Sequence, residues 1–279
     1  MYNNPVLLRA LALALPLSLA AVAPAALAQQ KASKPGAHAA STHASTAAVV
    51  PAGFPADATA HMTALNADSA MPVLKHGDKG PAVIRAQVML DRQWFSVGEI
   101  DGSFGTNMKK ALAAFQQSRG LQETGQVDEA TWQALSQQQA PAFGTYVLTE
   151  QDVNGPYAKI PKDDPVAQSQ LPSLGYEGMS EAVSERFHMS PKLLAALNKG
   201  RNLQAGQAVV VTDVGRAAAM PKAASLRIDK SDQMLYMLGG DGRVMGAFPV
   251  TIGGREFPLP DGTLQIVAQA KNPDFSYNP

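Results

Sequence analysis

The spacing of apolar residues changes along the chain, and that change limits the folds open to it. Between Pro72 and Gln138 they recur at helical intervals. Val83, Ala86, Gln87 and Leu90 share one face, and Met108, Ala111, Leu112 and Phe115 stand at i, i+3, i+4 and i+7. From Ala224 onward they alternate, as strands require, through "SLRIDKS", "QMLYMLG", "RVMGAFPVTIG" and "GTLQIVAQA". A helical unit and a β unit in one chain of 279 residues predict a multidomain α+β architecture.

Local signals set the helix ends. Gly120 stops the second helix, and Asp128 is placed to cap a third, with Val127 and Trp132 spaced as a hydrophobic staple. "EIDGSFG" reads as a turn built on Asp101 and Gly102. Residues 72–138 therefore read as a domain of three short helices with glycine turns. The next unit, 145–214, places Met179, Ala182, Val183 and Phe187 on one helix. Ser190 caps another, with Pro191 at its first position and Leu193, Leu194 and Leu197 inside, before the strand "AVVV". "GGDG" at Gly239–Gly242 reads as a hairpin turn, because no Lys-Ser/Thr pair follows to make it a phosphate loop. Asp152 and Asn154 begin a calcium-loop pattern that lacks its remaining ligands.

Residues 1–28 have one cation, Arg9, an uncharged run from Ala10 to Val22, and "ALA" ending at Ala28. This is the pattern of an export signal cut after Ala28, and Pro16 and Pro24 break the run too early for a membrane span. Export to the periplasm or cell wall follows, with no membrane association after cleavage. Residues 29–60 are rich in Ala, Ser, Thr and Pro, and read as a disordered linker in which His38 and His43 are bystanders. Basic and acidic residues number 23 each, which gives no electrostatic case for a nucleic-acid partner. The chain has no cysteine, which excludes disulfides, zinc–thiolate sites and a cysteine nucleophile within it. Nothing in the sequence calls for a cofactor or metal. His188 stands apart from any second histidine and reads as a structural residue.

Three resemblances add to this reading. The two glycines Gly77 and Gly80, then "IDGSFG", "AFQQSRGL" and "GQVDEATWQAL" in that order, resemble the peptidoglycan-binding type 1 domain, with Met108 and Ala86 departing from its usual pattern. The resemblance implies peptidoglycan as partner, and the loop residues Asp101, Gly102, Phe104 and Gly105 are the candidate contacts. Residues 145–214 resemble a lysin motif, a glycan-binding unit, with the leading strand set apart by the loop from Val153 to Ser173.

Residues 224–279, through "IDKSDQMLYML", "FPVTIGG", "PLPDG" and "NPDFSYNP", resemble the opening of an L,D-transpeptidase domain. That family is mostly β and joins stem peptides by acyl transfer through a cysteine activated by a histidine. The resemblance implies a domain truncated before its catalytic residues, so no catalytic residue can be assigned, and the chain is expected to be inactive with unpaired strand edges. A non-catalytic wall-binding protein is the alternative. A zinc peptidase is a third possibility, disfavoured because the chain offers no zinc constellation.

Overall fold

The computed structural model describes residues 6–9, 56–137, 140–215, 220–254 and 258–269. His38 and His43, most of the stretch read as a signal and the "NPDFSYNP" motif lie outside these residues. Strand β1 (Val6–Arg9) falls within the candidate signal and pairs with the C-terminal sheet. Cleavage after Ala28 would remove it. Helix α1 (Ala56–Ala67) begins inside the span read as a linker, so ordered structure starts a turn earlier than composition indicated.

Three helices follow, α2 (Pro81–Asp91), α3 (Thr106–Ser118) and α4 (Glu129–Leu135). Pro81 opens α2 without loss, since a helix's first N–H has no partner anyway. The Asp128 carboxylate accepts the Thr131 N–H at 2.8 Å and the Thr131 hydroxyl at 2.7 Å. Those bonds, the hydroxyl's first, hold its pKa below the usual range. The faces read from the sequence are the buried ones: Val83, Ala86, Gln87, Leu90, Met108, Ala111, Leu112, Phe115, Val127 and Trp132 are each no more than 1% exposed.

Two buried glutamines close the turns between these helices. Gln87 accepts the Gly102 N–H (2.8 Å) and donates to Asp101 Oδ1 (2.9 Å) and the Ser103 carbonyl (3.1 Å). Gln116 accepts the Gly125 N–H (2.9 Å) and donates to the Gln126 carbonyl (2.8 Å) and Thr131 Oγ1 (2.9 Å). Each amide thus satisfies backbone groups that the turn would otherwise bury unpaired.

The second unit runs β2 (Phe143–Val147), α5 (Glu150–Asn154), α6 (Pro165–Ser169), α7 (Met179–Arg186), α8 (Pro191–Leu197) and β3 (Ala208–Thr212). β2 and β3 pair antiparallel, from Phe143 opposite Thr212 to Val147 opposite Ala208, and α1 packs on both. Ser190 caps α8 as expected, accepting the Leu193 N–H at 3.1 Å. Asn198 ties α8 to β3, donating to the Val210 carbonyl (2.8 Å) and accepting the Val210 N–H (2.7 Å). Asp152 is the third residue of a capping box with Thr149. Burial opposes its charge, yet hydrogen bonds from Tyr146, Thr149 and Arg186 bring its pKa to about 2.

The third unit is a meander of β4 (Ser225–Asp229), β5 (Met234–Leu238) and β6 (Val244–Pro249), with a short β7 (Leu264–Gln265). β4, β5 and β6 pair antiparallel, while β1 sits between β4 and β7. The β5–β6 hairpin closes at Gly239–Gly242, where the Gly239 N–H donates to the Arg243 carbonyl at 2.9 Å. The edge of β6, expected to be unpaired, is bridged at Ala247. Ser96 donates to the Ala247 carbonyl (2.8 Å) and Ala247 to the Trp94 carbonyl (2.9 Å), so the α2–α3 segment adds a short parallel bridge along that edge. A Cβ at Gly246 would lie 2.9 Å from the Trp94 carbonyl, which is why the close approach requires glycine there.

The same α2–α3 segment also holds the second unit. Ile100 donates to the His188 carbonyl (2.8 Å), and Ser190 donates to the Ile100 carbonyl (3.0 Å). Arg92, buried, donates to the carbonyls of Ala140 (3.0 Å), Pro141 (2.6 Å) and Asp213. Burial lowers its pKa, opposed by Asp213 and Asp91. Residues Arg92–Ile100 therefore join the three units, which share one contiguous core.

His188 adds an ion pair to that joint, its Nδ1 lying 2.8 Å from Asp91 Oδ2. The bond to Asp91 raises its pKa; burial opposes this, and the Asp91 and Glu185 charges assist. A raised histidine pKa contributes stability that is complete below the unfolded value and is lost as pH rises through the folded one. We expect the wild type to lose up to about 1 kcal/mol more stability than His188→Ala between pH 6 and pH 8.5, the range of a half-exposed pair. Denaturant melts of both proteins at the two pH values measure it; parallel losses would show the pair contributes nothing.

Candidate functional site

The loop singled out in the sequence, Asp101–Gly105, lies against the turn at Gly77–Gly80. Gly80 donates to the Gly102 carbonyl (3.0 Å), Phe104 to the Asp78 carbonyl (2.8 Å) and Gly77 to the Phe104 carbonyl (3.0 Å). Two glycine turns are thereby zipped into one surface, braced from beneath by Gln87. The sequence indicated the first turn as a motif but not its pairing with the second.

The four predicted contacts separate into two kinds. Phe104 is 2% exposed and belongs to the core, so its ring fixes the loop and presents no face to a ligand. Gly102 is buried at φ +74, and a Cβ there would meet Ile84 Cγ1 at 3.0 Å. Its role is to let the loop lie against α2. Asp101 and Gly105 are exposed. Asp101 Oδ1 accepts from the Gln87 amide and from the Ser103 N–H (2.8 Å), which ties the carboxylate to the loop. Around them the neighbouring turn exposes Lys75, His76 and Lys79, while Met71 and Val73 are 56% and 64% exposed. The surface combines hydrogen-bonding groups of both charges with apolar side chains.

No group of three His, Cys, Asp or Glu residues that could hold a metal occurs among the described residues. No helix among them is long and apolar enough to cross a membrane.

Comparison with known proteins decides what the three-helix unit is. Residues 79–135 match the peptidoglycan binding domain family. The peptidoglycan-binding domain thus spans α2, α3, α4 and the Asp101–Gly105 loop, and accounts for about a fifth of the chain. The carboxy-terminal processing protease CtpB of Bacillus subtilis (strain 168) is 45% identical over 56 residues, which make up 20% of this chain and 12% of that protein. The likeness is the size of one module and leaves most of both proteins uncompared.

Trp132 closes the domain from below. Its ring is buried, its Nε1 donates to the Pro72 carbonyl at 2.8 Å, and the Arg85 guanidinium lies 5.8 Å from the ring centre. Arg85 also donates to the carbonyls of Asp68 and Ala70. These bonds hold the segment entering the domain, a function that the helical spacing alone did not reveal.

Proposed function

We propose that this is an exported cell-wall protein that holds peptidoglycan through the exposed edge of the Asp101–Gly105 and Gly77–Gly80 turns, with glycan strands and stem peptides as its partners. The observation that carries this reading is the peptidoglycan-binding domain match over 79–135, on a module whose Asp101–Gly105 turn is braced by the buried Gln87 amide. Asp101 and Gly105 are the contact positions; Gly102 and Phe104 shape the loop from inside.

In this reading residues 145–214 act as a lysin-motif-like unit. The strand, two helices and antiparallel return strand formed by β2, α7, α8 and β3 support it. Residues 224–279 are the opening of an L,D-transpeptidase-like domain, a reading supported by the antiparallel meander of β4, β5 and β6. Cross-linking through a cysteine would belong to a protein that carries one.

The alternative is a wall-binding protein without catalysis, which the peptidoglycan-binding domain alone would serve. The likeness to a protease covers too little of that enzyme to support peptide cleavage here.

Export is tested at the N-terminus. Material from the periplasm should begin at Gln29, as N-terminal sequencing would read; an intact Met1 on membrane-bound protein would overturn the signal.

A further inference from the structure

A cleft of about 310 Å³ opens between the C-terminal end of α3 and the β5–β6 hairpin, lined by Gln93, Phe95, Ser118, Arg119, Asp241 and Arg243 among others. We propose that it is a carboxylate-binding subsite, with Arg119 as the anchor, that takes the free C-terminus of a short peptide. The identity of that peptide as a peptidoglycan stem rests on the function proposed above; the chemistry of the cleft does not.

Arg119 is held in place without an acidic partner. One of its terminal nitrogens donates to Gln93 Oε1 at 2.7 Å, and its guanidinium carbon lies 5.3 Å from the centre of the Phe115 ring. Gln93 is itself 9% exposed, and its Nε2 donates to the Met89 carbonyl at 3.2 Å, which turns Oε1 toward the arginine. Among the described residues no carboxylate lies within ion-pairing distance of Arg119. A guanidinium has five N–H donors, and most of these remain for a ligand. Because stacking and the Gln93 bond already restrain the side chain, little rotamer freedom is left to lose on binding.

A cation at the end of α3 also complements the helix dipole, and Arg119 caps that helix through its own N–H. That role needs neither a buried amide directed at the guanidinium nor a ring beneath it. Across the cleft Arg243 is 81% exposed at its side chain and sits 3.5 Å from Asp241, which offsets part of its charge. Two guanidiniums facing one carboxylate leave the cleft a single net positive charge, matched by one carboxylate rather than by a phosphate dianion. The planar fork of arginine favours bidentate carboxylate binding, and the volume is at the small end of ligand pockets, enough for a peptide end.

Isothermal titration of the full chain with N-acetyl-D-alanyl-D-alanine and with its C-terminal amide tests this. The acid should bind saturably and the amide about tenfold more weakly, as loss of one charge-assisted contact implies. Arg119→Gln should reduce acid binding to the level of the amide. Arg119→Lys, which keeps the charge at the helix end but loses the fork, should fall between them. Equal binding of acid and amide, no saturable binding of the acid, or an Arg119→Lys protein that binds as wild type would each overturn the subsite. Retention of the wild type on insoluble peptidoglycan, measured alongside, reports the wall-binding function independently. Acid binding without that retention would remove the stem peptide as source and leave the cleft standing.

Discussion

Replacing Trp132 with alanine is expected to destabilise the protein by about 3–5 kcal/mol, the usual range for removing a buried aromatic side chain. The ring is 1% exposed and belongs to the contiguous core, so the substitution leaves a cavity there. It also leaves the Pro72 carbonyl without its indole donor and Arg85 without the ring beneath it. A loss of this size is a large share of the stability of an ordinary domain. Because Arg92–Ile100 joins this domain to both others, unfolding should be felt beyond it. Chemical denaturation followed by circular dichroism measures the effect, and an unchanged midpoint would show that the ring contributes no packing.

The second large effect concerns catalysis. The 279-residue chain should form no stem-peptide cross-links above background. Acyl transfer by a thioester route needs a thiolate and a base to activate it. The chain has no cysteine, and the last of its five histidines is His188, which lies outside the β unit and is paired with Asp91. Loss of a catalytic nucleophile costs on the order of 10⁶ in turnover in a well-studied hydrolase, so activity by that route should fall beneath detection. Incubation with tetrapeptide muropeptides followed by mass spectrometry would read new dimers or released D-alanine. Dimers accumulating with time and protein concentration would contradict the mechanism and require another nucleophile.

Much of the helical domain was legible because its signals are local. Asp128 as a cap, Gly120 as a stop and the apolar face through Met108 and Phe115 depend on residues within a few turns of one another. The four candidate strands after Ala224 also appear, although the last is reduced to Leu264–Gln265. What the sequence hid is long-range. Gln87 reaches Gly102, Arg92 reaches Asp213, and Ser96 pairs with Ala247 across about 150 residues. No period in a hydrophobic pattern encodes those partners. The candidate loop shows the same division. Its glycines marked a turn, but the burial of Phe104 in the core depends on the pairing of that loop with the Gly77–Gly80 turn, which becomes apparent only in three dimensions. The α1 helix escaped notice because its small, evenly mixed residues lack a distinct apolar face.

The measurement that most directly tests peptidoglycan binding uses Gly105. It caps α3 in an extended conformation at φ −91, and a Cβ built there meets nothing within 4 Å. Gly105→Trp therefore adds a bulky side chain to the exposed surface without disturbing the fold, which circular dichroism checks. Full-length wild type and variant are incubated with insoluble sacculi, and the bound fraction is compared after centrifugation. The wild type should pellet with the sacculi, and the variant should bind about tenfold more weakly, the size of effect expected from blocking a central contact. A wild type that stays in the supernatant would contradict peptidoglycan binding itself, and a folded variant that pellets as well as wild type would place the binding surface elsewhere on the domain.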